Sequence, residues 1–219
     1  PNMKSKLLLI LTIFLSHVQA QKVGVVLSGG GAAGSAHAGV LKSLEEKNIP
    51  IDFIVGTSIG ALIGAFYASG YSPEEIEALI NSVEFRNSAT GTVEERYLFY
   101  LMKDEDNSSV LSLNFNVDSV LGKNLPTNVI SSVPIDYGLM ELFSPANAVA
   151  KSNFDSLMIP YRAVAANISQ QKQSILKNGD LSKAIRASMT YPFYISPITI
   201  NGDLMFDGGL YNNFPVDIM

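Results

Sequence analysis

Two stretches of this chain share one pattern, and it restricts the fold more than any other feature. Residues 22–28 (KVGVVLS) are short and β-branched and run into Gly29-Gly30-Gly31-Ala32-Ala33-Gly34. Residues 51–55 (IDFIV) form a second such run and close in Gly56-Thr57-Ser58-Ile59-Gly60. A short continuous apolar run bounded by glycine reads as a buried strand. Each glycine turn leads into a helical pattern. After the first, Val40, Leu41 and Leu44 would give a helix to about Lys47 its core face, and Ile49-Pro50 would break it. After the second, residues 61–68 (ALIGAFYA) are apolar on nearly every side, so that helix belongs inside. Strand, glycine turn and helix, repeated, predict an α/β fold with a mostly parallel central sheet and helices on both faces. Such sheets place their sites at the carboxyl ends of the strands, where both glycine turns lie.

The rest of the chain is less uniform. Ser72-Pro73-Glu74-Glu75 starts a helix, with serine as cap, proline in the first turn and acids near the positive end of the dipole. Residues 82–135 mix charge, aromatics and loop formers and read as an insertion with some helix and a flexible stretch near 103–109. It is either a lid or substrate-facing cap or a plain surface excursion. Residues 137–151 read as helix, and 159–166 (IPYRAVAA) and 173–176 as strands. Asp180 is a good N-cap for a helix over 181–188. Residues 195–201 and 204–206 read as a hairpin around Asn201-Gly202-Asp203, ending in Asp207-Gly208-Gly209. No internal repeat occurs.

Composition excludes some chemistries. There is no cysteine, so disulfides and thiolate metal sites are out, and two histidines, His17 and His37, are too few for a multi-histidine metal centre. Residues 1–20 have the pattern of a secretory signal: Lys4 and Lys6, an apolar run over 7–15, then Val18-Gln19-Ala20 as a cleavage site. Pro1-Asn2 precede the first methionine and look like an upstream scar. The expected organisation is thus a leader over 1–20 and one domain over 21–219. Export to the periplasm, outer membrane or extracellular space follows. Removing the leader would take the formal charge from −5 to −7, which gives no electrostatic reason to bind nucleic acid.

Gly-x-Ser-x-Gly between a strand and a helix is the sequence form of a nucleophile elbow: the tight turn lifts the hydroxyl off the backbone over a helix N-terminus. The pentapeptide alone is equally a structural turn. A nucleophilic serine needs a base, and no histidine follows Ser58. His37 reads better as a packed or capping residue. Asp207, at the end of an apolar run and followed by two glycines, is the best base on offer, although a turn aspartate is the plain alternative. Asp203 is the competing acid. The glycine loop is not a nucleotide site: the second strand ends in Gly56-Thr57-Ser58 rather than an acid, and no Gly-Lys-Ser/Thr follows the glycines. Its consecutive N–H groups at a helix start suit an anion, and beside Ser58 they would form an oxyanion hole.

Three motifs stand in order, GGGAAG at 29–34, GTSIG at 56–60 and DGG at 207–209. Together with residues 184–217 they resemble the patatin-like phospholipase family over nearly all of residues 22–217. The resemblance implies a three-layer architecture and a Ser-Asp dyad without histidine. Ser58 would be the nucleophile and Asp207 the proton acceptor. Gly30, Gly31 and Ala32 would supply the oxyanion hole, with Gly29, Gly34, Gly56, Gly60, Gly208 and Gly209 completing the motifs. It implies a lipid acyl hydrolase acting on phospholipid or another acyl ester at a membrane surface, with no metal and no cofactor. The alternative is a non-catalytic lipid-binding domain on the same fold. Family loops often carry arginine where this chain has Ala33, and family domains usually continue beyond the aspartate, so the chain looks truncated at its C-terminus.

Overall fold

The computed structural model describes residues 22–93 and 128–219. Both strand–glycine–helix units are present. Strand β1 (Gly24–Leu27) leads through a 3₁₀ turn (Gly31–Ser35) into helix α1 (Ala36–Glu46). Strand β2 (Phe53–Thr57) leads through Ser58 into helix α2 (Ile59–Ala68). Helices α3 (Pro73–Asn81), α4 (Val83–Thr90) and α5 (Val133–Val149) follow. The remainder is β3 (Tyr161–Asn167), β4 (Lys172–Leu176), α6 (Leu181–Ser188), β5 (Ile198–Ile200) and β6 (Asp203–Asp207). The chain then makes 3₁₀ turns at Gly208–Leu210 and Val216–Ile218.

Local chemistry sets the helix starts as read from the sequence. Ser72 Oγ accepts from Glu75 N–H (3.3 Å) while the Glu75 carboxylate accepts from Ser72 N–H (2.8 Å), a reciprocal capping box. Asp180 caps α6 by accepting from Lys183 N–H. The expected leader lies outside the described residues, as does the middle of the 82–135 stretch.

The sheet is organised around β3. β1 pairs parallel with β2, and β2 with β3, whereas β4 and β6 run antiparallel to β3 and β5 antiparallel to β6. β4 takes one edge of β3 through residues 163–167. Along the other edge β2 lies beside the first part of β3, up to Thr57 opposite Val164. β6 lies beside the second part, from Met205 opposite Asn167 to Asp207 opposite Ala165. Two strands of opposite direction therefore end nose to nose over one continuous strand, and the residues that leave those ends are Ser58 and Asp207.

The core lies on the Leu27, Ile54, Tyr161 and Ala163 face. α2 packs there with six of its hydrophobic side chains fully inaccessible, including Leu62, Ile63 and Phe66, against Phe143 of α5 and Leu181 and Ile185 of α6. Leu62, Ile63 and Phe66 each contribute about 1.5–3 kcal/mol by leaving water. Tyr161 reaches into this core and satisfies its hydroxyl on the Ala61 carbonyl at 2.8 Å. On the opposite face Arg162 stacks over the Phe53 ring and pairs with Asp155, and Thr57 bonds the C-terminal segment. Two expectations fail in detail. Val40 is half exposed, and Ala38 joins the expected Leu41 in the core. β1 is only partly buried, because it pairs with a single neighbour. No described helix is long and apolar enough to cross a membrane.

Candidate active site

Ser58 sits where β2 must become α2 within one residue, and it adopts φ 55°, ψ −124°. Such a conformation costs a non-glycine residue on the order of 1–3 kcal/mol and persists only where its surroundings impose it. The flanking glycines show what imposes it. A Cβ on Gly56 would stand 2.4 Å from the Gly60 carbonyl oxygen, and one on Gly60 would stand 2.4 Å from that of Leu27. The helix start is folded back onto its own strand and onto β1, and only glycine fits the crossing. The pentapeptide thus has the strained backbone of an elbow.

The Ser58 hydroxyl donates to Asp207 Oδ2 at 2.6 Å, across 149 residues of sequence. Asp207 is 7% exposed. Its other oxygen, Oδ1, accepts from Gly209 N–H at 2.8 Å, which is the job of the second glycine in DGG. Burial raises the Asp207 carboxyl above the usual range, and the hydrogen bonds from Ser58 and Gly209 pull the other way without cancelling it. A carboxylate so placed is a stronger proton acceptor than one in water. The N-terminus of α2 lies directly behind Ser58 and favours negative charge there.

The glycine loop comes alongside. Gly29, Gly30 and Gly31 line a cleft of about 320 Å³ together with Ser58, Asp207, Gly209, Asn213 and the side chains of Tyr191 and Leu210. Gly29 N–H is spent on the Asn213 carbonyl (3.0 Å), so any donation into the cleft falls to residues beyond it. Ala32 is not among the residues lining the cleft. Gly34 is buried against Ile59 and joins the loop to the elbow helix. A larger apolar cavity of about 550 Å³ lies between α4 and α5 and touches neither Ser58 nor Asp207, so size does not identify the site here.

The competing candidates fall elsewhere. Asp203 is half-buried at the start of β6, where it accepts from Asn167 Nδ2 (2.8 Å) and Gln170 Nε2 (2.5 Å), a structural brace. His37 Nε2 lies 3.0 Å from the Ser28 carbonyl. A carbonyl only accepts, so Nε2 carries the proton and the ring ties the loop to its helix. No group of histidine, aspartate and glutamate suited to a metal ion occurs among the described residues.

Several contributors are absent from the sequence reading. Thr57 Oγ1 donates to the Asn212 carbonyl (2.9 Å), and Asn213 holds Gly29 by both its backbone oxygen and its side-chain amide. Ser188 receives the Ser58 N–H, and the Thr190 carbonyl receives the Asp207 N–H. Behind Thr190, the buried Arg186 bonds Thr190 Oγ1, the Ser196 carbonyl and the Asp136 carboxylate of α5. Serines and asparagines in loops are too common for any of these roles to show before the chain is folded.

The family model for patatin-like phospholipases matches residues 25–219. The chain belongs to the patatin-like phospholipase family. It is 32% identical over 198 residues to the patatin-like phospholipase domain-containing protein 6 of Mus musculus, a match that takes in 90% of this chain and 12% of that protein. It is also 32% identical over 199 residues to the lysophospholipase NTE1 of Candida albicans, covering 91% of this chain and 12% of that one. The chain thus spans about one-eighth of the length of the curated relatives it matches. Among solved structures, VipD from Legionella pneumophila superposes with a TM-score of 0.55 at 15% identity, over 89% of this chain and 47% of that one. At that identity the likeness concerns the α/β fold.

Proposed function

We propose that this patatin-like domain is a lipid acyl hydrolase, a phospholipase A or carboxyl-ester hydrolase, with Ser58 as nucleophile and Asp207 as its only protein base. The observation that carries this reading is the 2.6 Å hydrogen bond from Ser58 to a buried carboxylate, made from a strained elbow. Ser58 Oγ attacks the ester carbonyl carbon as its proton passes to Asp207 Oδ2. The carbonyl oxygen gains the charge, and backbone N–H groups of the loop around Gly30, Gly31 and Ala32 stabilise it. One such donor contributes on the order of 3 kcal/mol. The tetrahedral species breaks its bond to the leaving alcohol, and Asp207 returns the proton to that oxygen. Water then attacks the acyl-Ser58 ester, giving its proton to Asp207, and departure of Ser58 with that proton frees the fatty acid.

The lip of the cleft supports a lipid substrate presented at a membrane surface. Tyr191 and Leu210 line the cleft and are exposed, and their chain neighbours Phe193 and Phe214 are 78% and 58% exposed. Neither stretch, 187–202 or 208–216, contains a charged residue. Such a rim favours apolar acyl chains over a soluble charged substrate. The charge and hydropathy pattern of residues 1–20 supports export. The test is hydrolysis of short-chain nitrophenyl esters and of phosphatidylcholine vesicles by the full chain. Turnover that Ser58→Ala abolishes supports the reading, whereas equal turnover by the two proteins contradicts it. Lipid binding without turnover would identify a binding domain instead.

A further inference from the structure

Rungs in a parallel strand pair recur every second residue. Here Ile54 N–H donates to the Pro160 carbonyl (2.9 Å), the residue before its register partner Tyr161. Two residues on, the same geometry relates Gly56 to Arg162, and two further on it relates Ser58 N–H to the Val164 carbonyl. That last rung is not direct. Ser58 N–H donates to Ser188 Oγ at 2.8 Å, and the Ser188 hydroxyl donates to the Val164 carbonyl at 2.5 Å. Ser188, the last residue of α6, has no exposed surface. Its hydroxyl occupies the place of one rung, as an inserted water would, and holds the two backbones apart where β2 leaves the sheet. Two residues later the Thr190 carbonyl accepts the Asp207 N–H at 2.8 Å. A single turn of chain therefore grips the backbone amides on both sides of the Ser58–Asp207 hydrogen bond.

We propose that Ser188 is a positioning residue for Ser58. Its hydroxyl, set into the rung, fixes how far the elbow stands off β3 and thus the reach of Ser58 Oγ to Asp207. The inference rests on the Ser58–Asp207 reading above. It also means that Ser58 N–H is consumed and cannot donate to an oxyanion. A displacement of about 1 Å at a reacting group costs on the order of 100-fold in rate, so the effect of losing the wedge is measurable.

The test uses the full chain and four variants, with the rate of labelling by a fluorophosphonate, kcat/KM on nitrophenyl butyrate, and melting temperature as readouts. Ser188→Ala removes the wedge, and labelling falls by about 10–100-fold. Ser188→Thr keeps the hydroxyl and adds a methyl to a closed space. Both variants melt below the parent, but Ser188→Thr labels close to the parent rate. Rates that simply follow melting temperature in the two variants, or parent-rate labelling of Ser188→Ala, overturn the inference. If Ser188→Ala does not fold, Ser188→Cys supplies a longer, weaker acceptor and labels more slowly than Ser188→Thr; equality with the parent overturns the inference. Ser58→Ala separates the two levels. When it is inert and Ser188→Ala is unaffected, only the wedge fails; when it hydrolyses like the parent, the nucleophile assignment fails and takes the wedge with it.

Discussion

β2 and β6 end opposite adjacent residues of β3, Val164 and Ala165, yet they arrive there by different means. The β2 side is local. The glycine loop, α1, the elbow and α2 all fall within residues 29–68, and their geometry is imposed by glycine crossings and by an apolar helix with no exposed face to spare. The β6 side is assembled from afar. Asp207 is positioned by Gly209 beside it, by Thr190 on the turn after α6, by Arg186 within α6, and by Asp136 on α5. Ser58 is held mostly by sterics, with Ser188 as a polar tie from afar, and Asp207 by a polar network. Substitutions on the first side should therefore act on chemistry through shape, and those on the second through charge and hydrogen bonding.

The largest expected effect is on the nucleophile itself: Ser58→Ala lowers ester hydrolysis by on the order of 10³-fold or more, measured as kcat/KM. Asp207→Asn comes next, with a loss on the order of 10²–10⁴-fold. Its stability moves the other way. Because the folded carboxyl is raised, its contribution to stability is fully present below the ordinary carboxylate pKa and is lost as pH rises through the raised value. Above that raised value the ionised, buried Asp207 is thus a burden, and there Asp207→Asn melts no lower than the parent. A clear drop in melting temperature would show that the charge is stabilising and that the site is not strained. In the parent, kcat/KM falls with a slope of one as pH drops through the raised Asp207 pKa, above the range of an ordinary aspartate.

A smaller effect probes the network. Arg186 is 3% exposed, and Asp136→Asn leaves its guanidinium short of its countercharge. Since the Asp136 side chain is 46% exposed, the cost sits below that of a fully buried pair, at about 2 kcal/mol. Thermal unfolding measures it, and labelling of Ser58 slows because the 189–196 turn loosens. The smallest effect serves as the control. Ser72→Ala removes the α3 cap far from the cleft, costs about 1 kcal/mol in unfolding and leaves kcat/KM unchanged.

The same contrast governs how much the sequence reveals. β2, the elbow and α2 are legible because hydrophobic runs and glycine spacing are local properties, and the capping residues Ser72 and Asp180 likewise act on chain three residues away. The antiparallel half is legible as strands and a hairpin but not as a partner for β3, since nothing local says which strand end Asp207 will face. Ser188 and Asn213 are invisible for the same reason: each acquires its role only when chain 130 or 184 residues away arrives beside it. The absence of a histidine after Ser58 leaves a carboxylate, a lysine or no base, and Asp207 rather than Asp203 is the acid within reach.

The central claim is that one serine and one aspartate act together without histidine. Fluorophosphonate labelling, with the adduct located by mass spectrometry, tests it most directly in the parent chain, in Asp207→Asn and in His37→Gln, which keeps a donor for the Ser28 carbonyl. A single adduct on Ser58, formed at parent rate in His37→Gln and slowed at least 100-fold in Asp207→Asn, is the predicted result. An adduct on another residue, or a reaction that needs His37 and tolerates Asp207→Asn, would contradict it.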